Sequence, residues 1–156
     1  MKAETMFRNY NESDRRELKK MILALYSEDD YGESMSGEKI DKTIAELQHF
    51  PEKGTITIFE NERGVTGYAI TIFFWSNELG GNVAEIDEFY VKPEWRNKGI
   101  GTKFLDYSAN PGRRNVIGLQ LEVTPTNKRA LDYYIKYGFQ ESKNKQLYKR
   151  CRRSVK

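Results

Sequence analysis

Apolar residues recur at helical spacing in two stretches near the start of the chain. Leu18, Met21, Ile22 and Leu25 fall on one face, and Asp14 to Tyr26 reads as a helix with Ser13 as its N-cap. Ile40, Ile44 and Leu47 mark a second helix, opened by Ser36 or Gly37 and ended by Pro51. Strand patterns occupy most of the rest. Met6 to Tyr10 reads as a short first strand, and Thr55 to Glu60 pairs with Val65 to Trp75 around the turn Asn61-Glu62-Arg63-Gly64. Gly67, inside a strand pattern, predicts a bulge or a close approach by another chain. A strand to Val91 follows, stopped by Pro93, and a helical pattern then runs through Ile100, Phe104 and Leu105 to the turn Asn110-Pro111-Gly112. Ile117 to Val123 reads as a strand, and Thr126 or Asn127 caps a helix that ends at Tyr137 before Gly138. Phe139 to Tyr148 predicts a closing strand or hairpin. This order gives an α/β fold, a mixed sheet flanked by helices.

Length and charge narrow the picture. The 156 residues suit one domain over 1–150, followed by a basic tail at 151–156. A net charge of +3 is mild, and outside the tail the basic residues are scattered, which argues against a nucleic-acid partner. The single cysteine, Cys151, excludes an intramolecular disulfide and fits a reducing, cytoplasmic setting. No apolar run approaches the ~18 residues of a membrane span, and no signal peptide is apparent. His49, beside Pro51, reads as a surface or capping residue, and no metal site is expected.

Chemistry concentrates between Glu85 and Lys103. Strand alternation places Glu85, Asp87, Phe89 and Val91 on one face and Ala84, Ile86, Glu88 and Tyr90 on the other. Carboxylates in a central strand are costly unless paired or used. After Val91 come Arg96-Asn97-Lys98-Gly99-Ile100-Gly101-Thr102, a glycine turn opening a helix. The first N–H groups of a helix lack intrahelical partners, and the helix dipole points its positive end the same way. Strand, glycine turn and helix N-terminus together make a cradle for a phosphate or pyrophosphate. The spacing is neither that of a Walker A loop nor that of a dinucleotide fingerprint.

The pattern Arg96-x-x-Gly99-x-Gly101 resembles the acetyl-CoA pyrophosphate loop of the GNAT superfamily of N-acetyltransferases. A second stretch, Asn127-Lys128-Arg129-Ala130 followed by Tyr134 and Gly138-Phe139, is similar to that superfamily's second signature. The resemblance implies a GNAT fold, acetyl-CoA as co-substrate and no metal. It implies that Arg96, Asn97, Lys98, Gly99, Ile100, Gly101 and Thr102 hold the pyrophosphate, and that the backbone at Phe89 and Val91 bonds the pantetheine arm. Asn127 bonds the cofactor or caps its helix. Transfer of acetyl to an amine requires a neutral amine, and an alkyl ammonium of pKa about 10.4 loses roughly 4–5 kcal/mol on giving up its proton at pH 7. A carboxylate accepts that proton. The histone-type relatives carry their glutamate at the position of Glu85, the polyamine-type relatives at that of Asp87, and both stay candidates. Tyr134 is the expected acid for the leaving thiolate, with Tyr133 and Tyr137, one turn apart on another face, expected in packing.

For the acceptor, the segment around Trp75 and the strand to Val91 look similar to spermidine/spermine and thialysine N-acetyltransferases. Glu28, Asp29 and Tyr31, in an acidic loop, and Trp75 suit a cationic polyamine- or lysine-like amine by charge pairing and cation–π contact. An aminoglycoside or a protein amine satisfies the same features, and a non-catalytic acyl-CoA-binding regulatory module is the alternative of a different class. Homodimers are common in the superfamily, so the resemblance allows a homodimer, and no residue of the sequence decides between monomer and dimer.

Overall fold

The computed structural model describes residues 3–28, 32–110 and 112–152. Nine elements follow one another among them: β1 (Met6–Asn9), α1 (Arg15–Glu28), α2 (Gly37–His49), β2 (Gly54–Asn61), β3 (Gly64–Ser76), β4 (Gly81–Val91), α3 (Ile100–Ala109), β5 (Val116–Leu121) and α4 (Lys128–Tyr137). The strands form one sheet in the order β1-β2-β3-β4-β5. All neighbours are antiparallel except β4 and β5, which are parallel and joined through α3. This is a mixed α/β sheet. The chain groups into two compact units, Met1–Glu122, which holds the sheet with α1–α3, and Val123–Lys156, which holds α4.

Side-chain alternation divides the sheet into two faces. On one, Ile56, Ile58, Tyr68, Ile70 and Tyr90 pack with Leu18, Met21 and Ile22 of α1 and Ile40, Ile44 and Leu47 of α2. On the other, Phe59 and Phe89 meet Phe104 of α3, with ring centroids 5.0 and 5.6 Å away. The apolar stripes of all three helices are the ones the periodicity marks.

Local signals account for the element ends. A 3-10 turn at Glu12–Asp14 leads into α1, and its cap is Asn11 rather than Ser13: Asn11 accepts from the Ser13 N–H, and the Asp14 carboxylate reaches back to the Asn11 N–H at 2.9 Å. Arg8 holds the same carboxylate at 2.7 Å, which keeps Asp14 below the usual carboxylate range. Ser36 caps α2 by accepting from the Lys39 N–H. Gly138 ends α4 at φ 124°, donating to the Tyr134 and Ile135 carbonyls.

Two further expectations fail. Residues 139–152 contain no strand, and Leu147 and Tyr148 are 92% and 79% exposed. The reason is visible in Glu141 to Lys149, a charged run whose two apolar residues are adjacent and so cannot line one face of a strand. The face assignment in β4 also breaks. Ile70 opposes Glu88 and Thr71 opposes Ile86, so Asp87 is an extra residue, a bulge. Directly opposed residues share a face. Glu85, opposite Ile72, therefore shares the α1–α2 face with Glu88 and Tyr90, while Ile86 shares the α3 face with Phe89.

Candidate active site

The site starts from where β4 and β5 part. Their register runs from Asn82 opposite Val116 to Ile86 opposite Leu121 and stops at the Asp87 bulge. β4 continues to Val91 with β3 alone, so one edge of its last turn has no strand partner among the described residues. Lys92 donates to Thr66 on the β3 side at 2.9 Å. The Val91 carbonyl points the other way and accepts from Arg96 Nε at 2.8 Å. The backbone at Phe89 and Val91 thus lies on the edge of β4 that has no strand partner among the described residues, the edge an extended ligand could join as a strand.

Three carboxylates gather at this opening. Glu85 lies opposite Gln120, whose amide bonds it, yet its carboxyl is pushed above the ordinary value by partial desolvation, then by Asp87 and Glu122. Asp87 is exposed on the bulge, and desolvation followed by the charge of Glu122 raises its carboxyl as well. Glu122, one residue past the end of β5, was not a candidate from sequence. Only the parallel register, which sets Leu121 beside Ile86, brings it to the bulge.

Behind them Glu88 is buried at 9% exposure. It accepts from Tyr68 Oη at 2.8 Å and from Tyr26 Oη at 2.9 Å. Burial raises its carboxyl despite both bonds. Glu88 ties β4 to β3 and to the last turns of α1, immediately after the bulge.

The glycine turn takes the conformation its residues favour. Gly99 is the N-cap of α3 in the left-handed region, φ 79°, and no side chain caps the helix start. Asn97 also has a positive φ, 61°. A Cβ on Gly99 would meet nothing within 4 Å. Ile100 is buried and anchors the helix beneath, and Lys98 Nζ sits 4.6 Å from the Trp95 ring. Arg96 is held three ways, by the Val91 carbonyl, by the Tyr90 ring at 5.4 Å and by Glu28, whose oxygens accept from Nη2 at 2.9 and 3.0 Å. Glu28, an expected acceptor-binding residue, is therefore turned to the cradle. Asp29 and Tyr31 lie outside the described residues. Trp75, near the end of β3, is 67% exposed.

In the second unit, Asn127 caps α4 by accepting from the Ala130 N–H at 3.1 Å. Tyr134 packs edge-on against Tyr133 and Phe139, at 5.3 and 5.5 Å, and Tyr137 lies 6.0 Å from Phe139. Burial, then Tyr133, pushes the Tyr134 phenol up, which keeps it protonated at neutral pH. Tyr133, expected in packing, is 37% exposed. No group of three or more His, Cys, Asp or Glu among the described residues could hold a metal ion, and no helix among them is long and apolar enough to cross a membrane.

Strand splay, glycine cradle and paired signatures together define an acyl-CoA-binding class of fold. Residues 19–139 match the acetyltransferase (GNAT) family, and the chain belongs to it. Among curated proteins it is similar to the thialysine N-epsilon-acetyltransferase of Bos taurus, 37% identical over 78 residues, which is 49% of this chain and 45% of that protein. The chain thus matches less than half the length of that relative. Among solved structures it is similar to a possible acetyltransferase from Clostridium difficile 630, with a TM-score of 0.82 at 22% identity over 96% of this chain and 99% of that one. An aminoglycoside N-acetyltransferase in complex with CoA aligns with a TM-score of 0.75 at 13% identity over 97% of both chains. These structural likenesses carry the GNAT fold.

Proposed function

We propose that the protein is an N-acetyltransferase that moves an acetyl group from acetyl-CoA to a primary amine of a small cationic acceptor, polyamine- or lysine-like. The observation that carries this is the gathering of Glu85, Asp87 and Glu122 where β4 and β5 part, beside the open backbone edge at Phe89 and Val91. Family membership and the likeness to a thialysine acetyltransferase support it.

Acetyl-CoA supplies the activated thioester. Arg96 to Thr102 and the α3 N-terminus hold its pyrophosphate, and the backbone at Phe89 and Val91 orients the pantetheine arm. The carboxylates draw a cationic amine to the opening, and Asp87 or Glu85 accepts its proton, directly or through water. Their raised affinity for protons makes them better bases than a solvated carboxylate. Tyr134 stays protonated and gives its proton to the departing thiolate. Asn127 serves as a helix cap, and Trp75 offers a ring to the acceptor. The protein works without a metal, in the cytoplasm, and an aminoglycoside is the second acceptor class, since it too is polycationic.

The test is thiol release from acetyl-CoA against spermidine, spermine, thialysine, lysine, an aminoglycoside and a basic peptide. Strong turnover with one small amine is expected. kcat/KM should rise with pH through the raised carboxyl value, because only the ionised base accepts the proton. Asp87→Asn, Glu85→Gln and Tyr134→Phe should identify the groups used, with a loss of about 100-fold or more for each true participant. CoA binding with no turnover on any amine would instead favour a non-catalytic module.

A further inference from the structure

We propose that Glu28 is a resident competitor for the pyrophosphate of acetyl-CoA: in the free chain it holds the Arg96 guanidinium, and the cofactor must displace it. The inference rests on the reading of Arg96 to Thr102 as the pyrophosphate cradle. It adds a residue from another element that sets how tightly the cradle binds. Glu28 is the last residue of α1. Both its carboxylate oxygens accept from Arg96 Nη2, at 2.9 and 3.0 Å. A carboxylate at a helix C-terminus faces the negative end of the helix dipole, and α1 has no basic residue in its last turn to offset it. α1 by itself gives no reason for an acid at this position, whereas Arg96 does.

The pair can open while both its supports stay in place. Arg96 keeps two other holds, since its Nε donates to the Val91 carbonyl at 2.8 Å and its guanidinium lies 5.4 Å from the Tyr90 ring centroid. The end of α1 keeps the bond from Tyr26 Oη to buried Glu88, 2.9 Å long and two residues before Glu28. The two side chains of the pair are 39% and 45% exposed, so water and salt weaken their attraction. A pyrophosphate brings a double negative charge to the same guanidinium. It also gains the N–H groups at the start of α3, where no side chain caps the helix. Two anions on one guanidinium repel each other, and the weaker pair gives way. When CoA leaves, Glu28 returns to Arg96, so the competition opposes binding and favours product release.

The test is calorimetric titration of CoA into the full chain and into Glu28→Gln, which keeps the side chain's shape and removes its charge. The variant should bind CoA about two- to five-fold more tightly, the range set by the loss of an exposed ion pair. CoA release, followed by stopped flow, should slow by a similar factor, and the melting temperature should stay within about 2 °C of the parent. Glu94→Gln is the control for charge alone. Glu94 lies in the 3-10 turn Pro93–Trp95 just before Arg96 and makes no ion pair among the described residues. Its removal should tighten CoA binding by less than half as much. Weaker CoA binding by Glu28→Gln would overturn the proposal and make the pair a brace for the cradle. Equal affinity in parent and variant would sink it too, as would an equal gain in Glu94→Gln, which would be a field effect without competition. A parent chain that binds no CoA would instead bring down the cradle reading, and the competition with it, so the two failures are told apart.

Discussion

At the scale of single residues, Glu88 shows how a charge is kept inside a sheet. Its two oxygens accept from Tyr68 and Tyr26, and burial still raises its carboxyl above the ordinary value. The folded chain therefore binds this proton more tightly than the unfolded one. The corresponding stability is complete below the ordinary value near 4.5 and is lost as pH rises through the raised value. Glu88→Leu should destabilise by about 1–3 kcal/mol, because it leaves the fully buried Tyr68 hydroxyl without an acceptor. Glu88→Gln can still bond both tyrosines and should keep most of the stability while removing this share of the pH dependence. Urea melts between pH 4 and 8 check both outcomes. An unchanged midpoint for the leucine variant would mean that Tyr68 finds another partner.

At the scale of elements, two glycines that look alike in the sequence do different work. Gly67 stands opposite Val91 where β3 pairs with β4. A Cβ there would lie 2.3 Å from the Tyr90 carbonyl oxygen and 2.8 Å from Phe59 Cδ2. It also follows the Thr66 bulge, since Phe59 opposes Gly67 and Glu60 opposes Val65. The bulge expected at Gly67 falls one residue before it, at Thr66, and the close approach comes from β4 and Phe59 of the same chain. Gly67→Ala should leave the protein largely insoluble or lower Tm by more than about 10 °C, because backbone cannot yield as a side chain can. Gly99 has open space where its Cβ would be, so Gly99→Ala should lose only about 1–2 kcal/mol through the left-handed backbone. Its larger effect should fall on CoA affinity, since the open space is where the proposed pyrophosphate sits. Thermal melts beside CoA titrations separate the two cases.

At the scale of the whole molecule, ligand and stability are linked. If acetyl-CoA binds the folded chain, a concentration of about 100 times Kd adds about 2.7 kcal/mol. For a chain of this length that raises Tm by roughly 5–10 °C. Thermal melts with and without acetyl-CoA test this. The shift should shrink in Gly99→Val and survive in Asp87→Asn, because only the first disturbs the cradle. A shift equal in all three would place the pyrophosphate elsewhere.

Much of this was legible along the chain. The apolar stripes of α1, α2 and α3, the cap at Ser36, the glycine turn at Gly99 and the end of α4 at Gly138 are local, and local residues dictate them through periodicity and backbone preference. The Arg96-Gly99-Gly101 and Asn127-Ala130 signatures are local too, which is why the family was within reach of sequence. What local patterns could not decide were the non-local pairings. The extra residue at Asp87 arises only from register with β3, and it moved Glu85 to the face of Glu88. Glu122 reached the site only through the parallel pairing with β5, and Glu28 turned to Arg96 across 68 positions of sequence. A pattern of period two assumes an unbroken ladder, and a charge has no direction until its partner is folded against it.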